Sequence, residues 1–242
     1  MKFAIIAAGK GSRMASEGEM LPKPLVKIGG VPMVKRLIDS FIRCKATAIS
    51  IIINEEMDEV RDYLQSLELP ISLDVIVKST EGSLLSFYEI SNSLKDDRFC
   101  LSTVDSVFDE DEFIKYIAAF EKDNDVDGYM AVTSYIDDEI PLYIDVDEDN
   151  LIAKFSDEPW EGVRIISGGI YALSVKAVKV LNDCIQNGIT DMRDYQRELV
   201  KAGLKLQAYE FEKIIDVDHV NDISTANEFV KEVERKKNKD NV

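Results

Sequence analysis

Short runs of apolar, largely β-branched residues alternate along this chain with segments whose apolar residues recur every three or four positions, and this alternation restricts the fold more than any other feature. Residues 3–8 form the first such run. The stretch from Val31 then places Val34, Leu37, Ile38 and Phe41 on one helical face. Residues 48–53 read as a second strand, 57–67 as a helix, 71–77 as a third strand and 83–93 as a helix. A fourth strand over 98–104 ends on Asp105. Strand and helix repeating at this spacing predict an α/β fold: a doubly wound, mostly parallel mixed sheet with helices on both faces.

The 242 residues are enough for one domain of this kind. We expect a single domain over 1–242, with one half at about 1–105, a second half at about 106–235 that completes the sheet, and a flexible tail at 236–242. Residues 105–150 hold 16 acidic and two basic residues. Within them, 142–146 and 151–155 flank Asp147-Glu-Asp-Asn as a hairpin would, and a polar tip accounts for much of that acidity. A strand over 164–173, helices near 174–187 and 191–201, a strand at 204–210 and a closing helix at about 222–237 follow.

Twenty-nine basic against 46 acidic residues leave a net charge of −17, which argues against nucleic acid or an anionic membrane as partner. The deficit is uneven. Residues 1–45 carry nine Lys/Arg and three Asp/Glu, so a local anion site is expected there. Cys44, Cys100 and Cys184 are scattered without a CxxC spacing, and the single histidine, His219, cannot complete a zinc cluster with them. This cysteine usage predicts a reducing, cytoplasmic setting, with no apolar run long enough for a signal peptide or a membrane span.

The most specific stretch is Ala7-Ala-Gly-Lys-Gly-Ser-Arg-Met14, followed by Leu21-Pro-Lys-Pro-Leu-Val-Lys-Ile-Gly-Gly-Val-Pro32. A loop with Gly9 and Gly11 at the end of the first strand can turn its amides inward, where open α/β sheets bind ligands. Lys10, Arg13 and Lys23 add charge suited to a triphosphate. The spacing is not that of a Walker A loop. Nor is it a dinucleotide fingerprint, because Met14 takes the third glycine's place, which disfavours a Rossmann oxidoreductase.

These residues resemble the signature of the sugar-1-phosphate nucleotidyltransferase superfamily, whose relatives include MobA-like NTP transferases: G-x-G-[ST]-R, a short gap, then P-K-P-L and a Gly/Pro turn. The resemblance implies nucleotide binding by Ala8, Gly9, Gly11 and Ser12, with Arg13 and Lys23 catalytic. Glu81-Gly-Ser-Leu-Leu resembles the family's base- and ribose-contacting turn, making Gly82 and Ser83 candidates beside a plain reading of Ser83 as a helix cap. Thr103-Val-Asp105 and Ile215-Asp-Val-Asp218 resemble the strand ends that carry the family's metal aspartates, here Asp105 and Asp216. Strand alternation puts Asp218 on the same side as Asp216, so either can be the second ligand, and Asp105 can alternatively cap a turn. Ser167-Gly-Gly-Ile-Tyr171 resembles the turn that approaches the sugar, which makes Gly168 and Gly169 acceptor-binding candidates.

Joining a phosphate monoester to the α-phosphate of an NTP brings two polyanions together, so such a site needs Mg²⁺ on carboxylates and fixed basic groups on the phosphates. The expected reaction is Mg²⁺-dependent transfer of an NMP group from an NTP to a small phosphorylated acceptor, a sugar 1-phosphate, with release of pyrophosphate. One departure bears on the acceptor: where the family commonly has Glu-Lys-Pro, this chain has Asp157-Glu158-Pro159. A carboxylate replaces a cation there, leaving Asp157 as the acceptor-site candidate and Lys154 or Arg164 as possible substitutes for the missing charge. A cytidylyltransferase acting on phosphocholine and a nucleotide-binding module without catalysis are the alternatives. His219 reads as a surface or capping residue rather than a catalytic base, and Trp160 as a packing residue.

Overall fold

Strand β1 (Lys2–Ala7) divides its side chains between two cores, and the layers follow from that division. Phe3, Ile5 and Ala7 point to one face and Ala4, Ile6 and Ala8 to the other. The computed structural model describes residues 1–137 and 139–240.

After β1 come the short helix α1 (Ser12–Ser16), a 3-10 turn at Lys23–Leu25, and the two-residue strands β2 (Lys27–Ile28) and β3 (Val31–Pro32), which pair with each other. Helix α2 (Met33–Arg43), strand β4 (Ala48–Ile53), helix α3 (Asp58–Gln65), strand β5 (Leu73–Val77), helix α4 (Ser83–Ile90) and strand β6 (Phe99–Thr103) complete the first half. Its strands run parallel in the order β6, β1, β4, β5. The Val34, Leu37, Ile38 and Phe41 stripe of α2 packs on the Phe3 face, and Leu84, Phe87 and Ile90 of α4 pack on the Ile6 face.

The second half contains elements that the acidic composition hides. Strand β7 (Ser106–Phe108), helix α5 (Glu110–Lys122) and strand β8 (Gly128–Thr133) precede the expected hairpin, β9 (Tyr143–Val146) and β10 (Ile152–Ser156). Part of the acidity lies in α5, whose first turn holds Glu110, Asp111 and Glu112, a favourable place for carboxylates at a helix N-terminus. Asp109 caps α5 by accepting from the Asp111 amide at 2.9 Å, and Phe113, Tyr116, Ile117 and Phe120 bury its other face.

Strand β11 (Ile165–Leu173) is the spine of this half. It pairs antiparallel with β6, β8 and β9, so the sheet is mixed as expected. Its pairing with β8 slips between Ser167 and Tyr171, a bulge at Gly168-Gly169. Gly169 has φ +74°, and a Cβ there would lie 2.8 Å from Ser106 Oγ. Helices α6 (Lys176–Gln186) and α7 (Met192–Lys201) join α4 on one face, and strand β12 (Leu206–Phe211) runs parallel to β8.

Strand β13 (Ile214–Asp216) pairs antiparallel with β7, and helix α8 (Val220–Asp240) crosses back to the first half. There Ala226, Phe229 and Val230 form a third core with Met14, Ile28, Met33, Val107 and Val217. The proposed boundary between halves at 105/106 is thus bridged by the closing helix. Residues 236–240 of the expected tail are helical. They continue α8, where Lys236 pairs with Glu212 at 2.8 Å and Lys237 with Asp111 at 2.9 Å. Residues 241 and 242 lie outside the described residues. No described helix is long and apolar enough to cross a membrane.

The hydroxyl of Tyr116, buried beneath β11, donates to the Tyr129 carbonyl at 2.6 Å and accepts from the Ala172 amide at 2.8 Å. Tyr116→Phe leaves both groups without their partner and is expected to cost about 1–3 kcal/mol in urea unfolding; a loss below about 0.5 kcal/mol contradicts this account.

Candidate functional site

The first loop leaves β1 between Asn54 and Lys23. Asn54, 2% exposed, donates from Nδ2 to the Ala8 carbonyl at 3.2 Å and so holds the start of the loop. Gly11 sits at the N-cap of α1 with φ +61°, and a Cβ there would lie 3.3 Å from Lys23 Cβ. The glycine is needed on both counts, because a side chain would strain the backbone and crowd the lysine. Lys23 follows Pro22 on the 3-10 turn and reaches under the loop.

There the Lys23 ammonium meets the strand ends. Asp105 follows β6, while Asp216 and Asp218 come from the end of β13 and the turn before α8. Lys23 Nζ lies 2.5 Å from Asp105 Oδ2 and 2.6 Å from Asp218 Oδ1. Arg13 pairs with the other oxygen of Asp218. The strand ends are tied by backbone as well, the Val217 amide donating to the Asp105 carbonyl at 3.1 Å. Asp222 at the start of α8 fixes the turn by accepting from the amides of Asp218 and His219 at 2.9 and 2.6 Å.

Electrostatics follow from this crowding. Burial disfavours the Lys23 ammonium, but the three carboxylates outweigh it and raise the lysine above its ordinary value. Burial likewise works against the Asp105 carboxylate, and Lys23 more than compensates, holding it below the usual carboxylate range. Asp105 therefore serves as an ion-pair partner in the site rather than as the turn cap its neighbours also allowed.

Asp105, Asp216 and Asp218 each offer an oxygen within 4.8 Å of the others. Hard oxygen donors of this kind fit Mg²⁺. Sequence alternation allowed either Asp216 or Asp218, and the structure groups both, with Asp218 paired to Arg13 and Lys23. His219 lies beside the cluster and its Nδ1 meets Glu17 Oε1 at 2.5 Å, tying α1 to α8. The hydrogen bond between them lowers Glu17 and raises His219 from their ordinary values.

Two cavities meet at this cluster. The first, about 590 Å³, is lined by Ala8, Gly9, Lys10, Gly11 and Ser12 and, across from them, by Gly82 and Ser83. Gly82 is the N-cap of α4 with no side-chain cap, and Ser83 is its first helical residue, so the alternative of Ser83 as the cap is not realised. The second, about 450 Å³, is lined by Glu17, Asp137, Glu139, Arg193, Asp216 and Asn221 among others. Arg13 and Asp218 line both. A small recess of about 50 Å³ adjoins Asp216 and contains Gly168 and Gly169.

Asp157 does not line either large cavity. Its carboxylate pairs with Arg193 at 2.9 Å and with Arg197, both on α7, which its sequence neighbours did not reveal. Neither proposed substitute cation reaches the cavities: Lys154 lies 5.3 Å over the Trp160 ring and Arg164 is exposed. Trp160 packs edge-on to Tyr143. Asn54 and Arg193 were not singled out from the sequence. Nothing in the local pattern marks Asn54, and Arg193 lies 36 positions from the carboxylate that aims it.

The profile of the MobA-like NTP transferase domain matches residues 3–156. Among curated relatives, the bifunctional protein GlmU of Methanococcus vannielii is 24% identical over 86% of this chain and 51% of its own length. The mannose-1-phosphate guanyltransferase of Candida albicans is 28% identical over 75% of this chain and 52% of its own length. The chain thus spans about half the length of the curated relatives it matches. Among solved structures, a putative glucose-1-phosphate thymidylyltransferase from Bacillus anthracis superposes with TM-score 0.83 at 22% identity, covering 95% of this chain and 94% of that one. The inositol-1-phosphate CTP transferase from T. maritima superposes with TM-score 0.79 at 18% identity over 96% of each chain.

The buried ion pair and an exposed one in the same loop are expected to separate cleanly. Lys23, 9% exposed, leaves Asp105 uncompensated when replaced, so Lys23→Met should lose about 2 kcal/mol or more in metal-free urea unfolding. Lys10, 70% exposed and 4.0 Å from Glu56, should lose less than about 0.5 kcal/mol as Lys10→Met. Equal losses contradict this reading.

Proposed function

This chain belongs to the MobA-like NTP transferase domain family, and from that membership we propose that it transfers an NMP group from an NTP to a sugar 1-phosphate and releases pyrophosphate. One observation carries the reading: two cavities share a wall made of Arg13 and Asp218, at the point where three carboxylates and two cations converge. An NTP in the first cavity and an acceptor in the second bring their phosphates together at that wall.

In the proposed reaction the NTP lies along Ala8, Gly9, Gly11 and Ser12 with its base toward Gly82 and Ser83, and the acceptor lies toward Gly168 and Gly169. Asp105, with Asp216 and Asp218, would hold Mg²⁺. Bound there, the ion would neutralise phosphate charge and fix the geometry of an in-line displacement. Lys23 and Arg13 exchange their carboxylate partners for phosphate oxygens, so positive charge is in place before the transition state forms. An acceptor phosphate oxygen attacks the α-phosphorus, the bond to the bridging oxygen of the β-phosphate breaks, and pyrophosphate leaves with that electron pair. An ionised phosphate needs no general base, which agrees with a site whose only histidine is tied to Glu17.

The second cavity favours a polyhydroxylated acceptor. Carboxylates of Asp137 and Glu139 line it and can accept from sugar hydroxyls. Tyr135, the aromatic residue of the adjoining recess, has its ring covered by Lys213 at 3.9 Å, which leaves no open cage for a trimethylammonium group. The three cysteines are free, which supports a cytoplasmic setting.

Purified protein supplied with each NTP, Mg²⁺ and a panel of sugar 1-phosphates with phosphocholine is expected to release pyrophosphate with a sugar 1-phosphate and to stop on addition of EDTA. Lys23→Ala and Asp105→Asn should each lower kcat/KM by at least about 10²-fold. Full activity in either variant, or release without any acceptor, contradicts the assignment.

A further inference from the structure

We propose that Arg193 binds the acceptor's phosphate and that Asp157 is a positioning residue that aims it; this rests on the nucleotidyl-transfer reading above. The chain has Asp157-Glu158-Pro159 where the signature it resembles has Glu-Lys-Pro, so on that resemblance the acceptor side takes its cation from elsewhere. Arg193 supplies it from the second position of α7, reaching into the wall of the 450 Å³ cavity that also contains Asp216 and Asp218.

The guanidinium is held at two points. One Nη donates to Asp157 Oδ1 at 2.9 Å and the other to the Ile140 carbonyl. A guanidinium has five N–H donors in a fixed fork, so three remain for an incoming oxyanion. Asp157 is shared between Arg193 and Arg197, and Asp194 also holds Arg197 at 2.7 Å, so two arginines and two carboxylates balance and an anion is held through the N–H donors of Arg193 that these partners leave over. Elsewhere the charged groups on this cavity's wall are carboxylates, His219 and an Arg13 paired with Asp218. An anion entering from the acceptor side therefore meets Arg193 as the arginine of this wall that Asp218 does not hold. The departure at 157–159 is then a relocation of positive charge: the residue before the missing lysine recruits an arginine 36 positions later.

Steady-state kinetics with the NTP and sugar 1-phosphate that wild-type protein turns over test this directly. Arg193→Ala should raise the acceptor KM at least about tenfold and leave the NTP KM within about twofold, with Arg193→Lys recovering part of the loss. Asp157→Ala should raise the acceptor KM about threefold to fivefold, and the double variant should match Arg193→Ala alone, because Asp157 acts through the arginine. An unchanged acceptor KM, equal increases in both KM values, or additive effects in the double variant overturn the proposal. If wild-type protein turns over no pair, the transfer reading has failed separately, and calorimetric titration with inorganic phosphate decides the matter for Arg193. Binding to wild type that Arg193→Ala abolishes supports the anion site, and binding that is equal or absent in both overturns it.

Discussion

The site depends on one ammonium among three carboxylates. Asp105, Asp216 and Asp218 approach within 4.8 Å of one another, a grouping that repels itself unless a cation stands close by. Lys23 provides that cation from beneath the first loop, and several features of the fold serve to bring it there. Gly11 adopts a left-handed conformation over the lysine stem, Pro22 starts the turn that carries it, and the third core packs Met14 and Ile28 against α8. The arrangement is self-consistent without ligands and poised for exchange with them. A metal can take the carboxylates while a polyphosphate takes the lysine and arginine.

This geometry explains why the two halves of the chain are not independent. The first half carries the loop and Asp105, but Asp216 and Asp218 arrive on β13 only after the chain has completed the second half. Their placement relies on the β7–β13 pairing, on the Val217 to Asp105 backbone bond and on α8 returning to the loop. On the acceptor side, the bulge at Gly168-Gly169 lets Ser106 and Thr103 approach the β11 backbone and opens the recess beside Asp216.

Much of this was legible in the sequence. The strand runs, the α2 stripe, the β9–β10 hairpin and the signature loop all stand where periodicity and turn chemistry put them. The α5 and β8 region is less legible, because dense Asp and Glu interrupt its apolar pattern, although Phe113, Tyr116, Ile117 and Phe120 repeat at helical spacing after a capping Asp109. The three-residue strands β7 and β13 are too short to carry a period of their own. Alternation identified the pair Asp216 and Asp218 without separating them, and the structure groups both with Asp105. The partners of Asp157 could not be read at all. Side chains 36 and 40 positions apart meet only through the packing of α7 near β10.

The charge of −17 likewise gains meaning only when it is placed. Some of it feeds the cluster, some lines the 450 Å³ cavity and some caps helices. The central claim is that metal and polyphosphate displace Lys23 and Arg13 from the carboxylates at the wall between the two cavities. Anomalous diffraction from crystals of the full chain, soaked with Mn²⁺ and an α,β-methylene NTP, measures this most directly. The account predicts an anomalous peak bonded to Asp105 and to Asp216 or Asp218, with the Lys23 ammonium moved onto phosphate oxygens. A peak elsewhere, or nucleotide bound with the Lys23–Asp105 pair unchanged, would contradict it.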